Sequence, residues 1–113
     1  MSKTVKELLV NIKNVESIGS TEISVTNLCI DSRTVTAGSL YAAVKGTQVD
    51  GHDFIQSAIE KGARVILCQE LPQNILENIT YLKTENTTVT LGQISVNFFD
   101  HAIDDLIVVG CTG

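Results

Sequence analysis

One proline stands among the 113 residues, and the three cysteines, Cys29, Cys68 and Cys111, are odd in number with no C-x-x-C pair. A disulfide framework and a structural zinc site are both disfavoured by that arithmetic. All three cysteines sit in apolar runs and read as small buried hydrophobes, and free thiols fit a reducing compartment. No apolar run approaches the roughly 18 residues of a membrane span. The opening MSKTVKELLV is too polar for a secretory signal. Basic residues are also scarce: eight Lys and Arg face thirteen Asp and Glu, for a net charge of −5. They are scattered from Lys3 to Lys83, so no stripe exists to neutralise a row of phosphates, and nucleic-acid binding is disfavoured. Apolar types at 43% with only 19% charged residues argue against disorder. A cytoplasmic domain is expected, with no membrane span. An acidic chain can still hold one phosphorylated metabolite, because a few aimed backbone N–H groups suffice.

Thr4 and Glu7 form a capping-box pattern before Val5, Leu8, Leu9 and Ile12, which predicts a helix from Thr4 to about Ile12. Ser17 to Thr21 is polar and reads as a loop. Ile23 to Ile30 reads as a strand that ends at Asp31-Ser32-Arg33, and Leu40, Ala42 and Val44 mark a second strand. Residues 45–52 have no period and two glycines, a loop. Asp53 to Lys61 reads as a helix with Phe54, Ile55, Ala58 and Ile59 on one face, closed by Gly62. Val65 to Cys68 has the pattern of a strand covered on both faces. Glu70 to Asn78 reads as a loop and Tyr81-Leu82 as a short strand. Thr87 or Thr88 is expected to cap a helix to about Phe99, with Leu91, Ile94, Ser95 and Phe98 inward. Leu106 to Val109 reads as a buried strand. The alternation predicts an α/β fold, a mixed β-sheet with helices packed on it. The short link between the first two strands predicts that its antiparallel part lies there.

Three stretches carry chemistry. Asp31-Ser32-Arg33 closes a strand, where ligands of α/β folds collect, and offers a hydroxyl, backbone N–H groups and a local ion pair; taken alone it is also an ordinary polar turn. In the second stretch, Gly46 to His52, Gly46 permits close backbone approach. Gln48 can donate and accept to a nucleobase edge, and Val49 offers an apolar face to a flat ring. Asp50-Gly51 reads as a turn. His52 has no cluster of partners and reads as a hydrogen-bonding residue that opens a helix, not a metal ligand. The third stretch, Gly110-Cys111-Thr112-Gly113 after an apolar run, looks like the start of a phosphate-binding loop, although the lysine and hydroxyl that complete the pattern are not in these residues. His101, Asp104 and Asp105 read as a solvated connection, so no metal site is expected. Asp31, Asp50 and Asp53 are assigned no acid–base pairing.

Taken together, in order, D-S-R at 31–33, G-S-L-Y-A-A at 38–43, G-T-Q-V-D-G-H-D-F-I at 46–55, G-A at 62–63 and V-G-C-T-G at 109–113 resemble the N-terminal domain of the Mur ligases. The tripeptide-synthetase branch, MurE, is nearest through G-T-Q-V-D-G-H. MurF, which adds D-alanyl-D-alanine, and a non-catalytic nucleotide-binding module on the same fold remain as alternatives. The resemblance implies a MurE/MurF-like N-terminal fold over residues 1–109, with 110–113 beginning the central ATP-binding domain. It implies that Ile30, Ser32, Thr47, Gln48 and Val49 contact the UDP end of UDP-N-acetylmuramoyl-L-alanyl-D-glutamate, and that Gly110, Thr112 and Gly113 start the ATP phosphate loop. Cys111 stands where the family often has valine or isoleucine, and Thr47 where some relatives have histidine. The implied activity is ATP-dependent addition of a diamino acid to that substrate, in peptidoglycan synthesis, through an acyl phosphate. ATP and Mg2+ would serve the parent enzyme. The fragment would hold no cofactor, contain no catalytic group and be inactive alone, with the central and C-terminal domains as its partners.

Overall fold

A fully buried strand, β6 (Val65–Cys68), is the middle of a five-stranded sheet. The structure, a computed structural model, describes residues 3–46 and 49–99. In chain order the elements are β1 (Lys3–Thr4), α1 (Val5–Leu8), β2 (Glu16–Ile18), β3 (Ser24–Val25) and β4 (Asn27–Cys29), then β5 (Ser39–Ala42), α2 (Ile55–Glu60), β6, β7 (Thr80–Lys83) and α3 (Thr87–Phe98). Short 3-10 turns at Ser32–Thr34 and Gly51–Phe54 precede β5 and α2. The sheet order is β2-β7-β6-β5-β4, and β1 pairs separately with β3. The α/β mixed sheet expected from the sequence is what forms.

Strand side chains alternate between faces, and here both faces are covered. Tyr41, Ala43, Ile66, Cys68 and Tyr81 pack with Ile55 and Ala58 of α2 on one side. Leu40, Ala42, Val65, Leu67 and Leu82 pack with Val5 and Leu8 of α1 and Ile94 and Phe98 of α3 on the other. Cys29 and Cys68 are buried free thiols, and burial pushes the Cys68 thiol up to about 11, so it is an inert core group.

The antiparallel pair is not where the short link suggested. β4 and β5 run parallel, Cys29 opposite Tyr41. The link 30–38 holds two bends, the Ser32–Thr34 turn and a second at Gly38 with φ +84°, and two reversals restore the direction. The antiparallel partner is β2, whose Glu16 lies opposite Lys83 of β7. It falls partly in the stretch expected to be a loop. An edge strand with Glu16 and Ser17 in solvent shows no apolar alternation to read. Thr26 divides the expected 23–30 strand into β3 and β4.

The Thr4–Glu7 capping box is present, but α1 stops at Leu8 instead of near Ile12. Its last carbonyls are taken from outside: the Asn97 amide donates to Leu8 O at 2.8 Å and to Val10 O at 2.9 Å. Asn11 then turns to φ +64°, a region asparagine tolerates. At α3 the cap is Asn86, whose side chain accepts from Val89 N–H, and not Thr87 or Thr88. Ile94 and Phe98 point inward as expected, while Leu91 and Ser95 are half-buried. Gly62, at φ +117°, lies against Ala37, where a Cβ would approach the Ala37 Cα to 2.8 Å. The expected strand 106–109 and residues His101, Asp104 and Asp105 lie outside the described residues.

Because β4, β5, β6 and β7 are mutually parallel, the segments that leave them share one edge of the sheet. Those segments are residues 30–33, 43–46, 69–70 and 84–85. Ligands in open α/β sheets bind at this carboxyl edge.

Candidate functional site

After β4 the chain turns at once. Asp31 caps the Ser32–Thr34 turn by accepting from Arg33 N–H at 2.9 Å. The Arg33 guanidinium grips the same carboxylate, with Nη2 2.8 Å and Nε 3.1 Å from its oxygens. The Thr34 hydroxyl donates to Asp31 O. These bonds fix a turn that leaves Ile30 62% exposed while Ser32 is buried. The Arg33 side-chain and backbone donors hold the Asp31 carboxyl at about 2, well below its ordinary 3.8. A depressed folded-state value favours the ionised, folded form. The pair's contribution is therefore complete above pH 3.8 and is lost as pH falls toward 2. A 13C carboxyl titration should give Asp31 a value near 2, and Arg33→Gln should return it toward 3.8. An Asp31 that titrates normally in the unaltered protein would contradict the observed fork.

After β5 the chain forms a tight hairpin. Gly46 N–H donates to Val49 O at 2.8 Å, Lys45 and Asp50 form an antiparallel bridge, and Gly51 N–H donates to Val44 O at 2.9 Å. The buried Tyr41 hydroxyl donates to Gly51 O at 2.8 Å. Burial, with Asp31 and Asp50 nearby, pushes that phenol up to about 12, so it stays a donor. Asp50 caps the Gly51–Phe54 turn by accepting from His52 N–H.

The two segments face each other. Ile30 to Arg33 and Gly46, Val49 and Gly51 line one groove of about 500 Å³, floored by Tyr41 and Val44 and closed by Phe54. Ile30, Val49 and Phe54 (62%, 57% and 40% exposed) form its apolar walls. Thr47 and Gln48 lie outside the described residues, as do Gly110, Cys111, Thr112 and Gly113. Sequence reasoning missed Tyr41, which looks like any strand residue, and Phe54, which the helical period put in the core. A larger cavity of about 700 Å³ opens beside Gln69, Glu70, Lys83 and Glu85 and includes none of the expected site residues.

Apolar walls suit a flat ring, while the Ser32 turn and Arg33 offer donors to a polar tail. The described groove residues bring together no nucleophile with a general base. The arrangement can bind and orient a ligand.

Residues 24–103 match the family described as Mur ligase family, catalytic domain. The UDP-N-acetylmuramoyl-L-alanyl-D-glutamate–2,6-diaminopimelate ligase of Phocaeicola vulgatus is 40% identical over all of this chain and 22% of its own length. Its counterpart in Bacteroides fragilis is 41% identical over 96% of this chain and 22% of its own length. The chain thus spans about a fifth of these curated relatives. Among solved structures, MurF from Acinetobacter baumannii superposes with a TM-score of 0.70 at 22% identity over 86% of this chain and 21% of that one, a likeness of fold. MurF from Thermotoga maritima in complex with ADP gives 0.54 at 31% identity over 60% of this chain and 15% of that one.

Proposed function

The chain belongs to the Mur ligase family, and from that membership we propose that residues 1–109 are the domain that anchors the UDP end of UDP-N-acetylmuramoyl-L-alanyl-D-glutamate. In this proposal the whole enzyme is an ATP-dependent ligase that works in the cytoplasm. It adds a diamino acid to that substrate, a step of peptidoglycan synthesis and so of cell-wall growth and division. Ile30, Ser32, Thr47, Gln48 and Val49 contact the uridine diphosphate. ATP and magnesium belong to the central domain, of which Gly110, Thr112 and Gly113 are the first phosphate-loop residues.

The observation that supports this most is the meeting of residues 30–33 with Gly46 and Val49 at one groove on the carboxyl edge of the sheet. A groove with apolar walls and an adjacent hydroxyl fits a remote handle: binding energy from a non-reacting part of the substrate orients the carboxylate that reacts elsewhere. The diaminopimelate ligases similar to this chain at about 40% identity favour the MurE reading over the MurF one.

Two or three polar contacts and one packed ring correspond to about −4 to −8 kcal/mol, millimolar to micromolar affinity. Calorimetry with uridine diphosphate should fall in that range, with adenosine diphosphate weaker, and the 113-residue chain should not turn over ATP. Equal affinity for both nucleotides, or ATP hydrolysis by the purified chain, would contradict the proposal.

A further inference from the structure

Among the described residues, Lys45 and His52 reach from the groove hairpin to the segment after β6, and of the two only His52 bonds to the backbone there; its hydrogen bonds define its tautomer. Gln69 N–H and Glu70 N–H both point at its Nε2, at 3.0 and 3.2 Å. Only an unprotonated nitrogen accepts two donors. The ring proton therefore sits on Nδ1, which donates to Asp50 Oδ1 at 2.7 Å. The same oxygen accepts His52 N–H at 2.9 Å, and these two donors hold the Asp50 carboxyl below its ordinary range. The imidazole side chain is 11% exposed. One ring thus spans from the foot of the hairpin to the end of β6.

We propose that His52 is a positioning residue for the groove: its ring, in the Nδ1–H form, bolts the Lys45–Asp50 hairpin to the Gln69–Glu70 backbone and so fixes where Gly46 and Val49 stand opposite Ile30. The inference rests on the nucleotide-holding reading of that groove. His52 touches none of the groove's surface itself and acts through Asp50 and Gly51. Among the described residues the hairpin's other ties are the Tyr41–Gly51 bond, the Gly51–Val44 bond and the exposed Lys45–Glu70 pair at 3.5 Å. Of these only the last also reaches beyond β6, and an exposed pair at that distance holds little.

Two conservative variants separate the halves of the bolt. The amide of His52→Gln sets an acceptor near the Nε2 position and keeps the tie to β6. That of His52→Asn reaches only the Nδ1 position and keeps the tie to Asp50. All variants are compared with the unaltered 113-residue chain, at a temperature where each shows a folded amide spectrum. Uridine diphosphate affinity should stay within about threefold in His52→Gln and fall about tenfold in His52→Asn and His52→Ala, the scale of one lost part-buried hydrogen bond. Equal affinity in the Gln and Asn variants, or no loss in the Ala variant, would overturn the inference. Hydrogen exchange at the Gly46 and Gly51 amides reads the hairpin without any ligand. It should speed up about tenfold in the Asn variant and little in the Gln variant, as loss of a local closing contact requires. If the unaltered chain binds no uridine diphosphate, the functional reading fails alone, and these exchange rates decide the role of His52. Imidazole 15N spectra showing the Nε2–H tautomer would refute it directly.

Discussion

Gly51→Ala should lower nucleotide affinity by at least about tenfold and destabilise the chain by about 1–3 kcal/mol, the cost of forcing extra volume into a packed site. A Cβ at position 51 would lie 2.7 Å from Val44 N, 3.0 Å from Val44 O and 3.1 Å from Ala43 Cα. All three are backbone atoms at the end of β5, so no side chain can swing aside. The hairpin must move instead. Its movement stretches the Gly51–Val44 and Tyr41–Gly51 bonds together and carries Val49 away from Ile30. Calorimetry and urea denaturation measure the two effects separately. Unchanged affinity in a folded Gly51→Ala chain would mean that the hairpin is not a wall of the binding site.

Leu67→Ala should cost about 2–5 kcal/mol, the range for emptying a buried leucine position. Leu67 is fully buried in the middle strand and packs against Val65, Leu82, Ile94 and Phe98. The site collapses poorly because β6 is hydrogen-bonded on both sides and cannot shift inward. Domains of this size hold about 5–15 kcal/mol in total, so a large share of the stability goes with one side chain. The urea midpoint should drop with the slope unchanged. A loss under 1 kcal/mol would mean that α3 does not pack on this face.

Both substitutions act on features that were legible to different degrees in the residues. The wholly apolar Val65–Cys68 run announced a strand covered on both faces, and it is one. The Thr4–Glu7 box announced the start of α1. Where that helix stops was not readable, because the stop is the Asn97 side chain, nearly the length of the described chain away. β2 was hidden for another reason: an exposed edge strand carries no buried alternation. The parallel β4–β5 pair was hidden because two bends in one short link cannot be told from one. At the site, Ile30, Ser32, Gly46 and Val49 were readable as turn and loop chemistry at strand ends. Tyr41 and Phe54 were not, since their importance arises from a hydroxyl reaching Gly51 and from a helix that begins one residue after Phe54. His52 was legible as a hydrogen-bonding loop residue, and its partners at Gln69 and Glu70 were legible only in space.

The most direct test is an amide chemical-shift titration of the 113-residue chain with uridine diphosphate. Ile30, Ser32, Val49 and Phe54 should move together on one saturating curve. Shifts confined to Gln69, Glu70 and Lys83 to Glu85, around the larger cavity, or to the outer face of α3, would contradict the placement of the nucleotide between the β4 turn and the β5 hairpin.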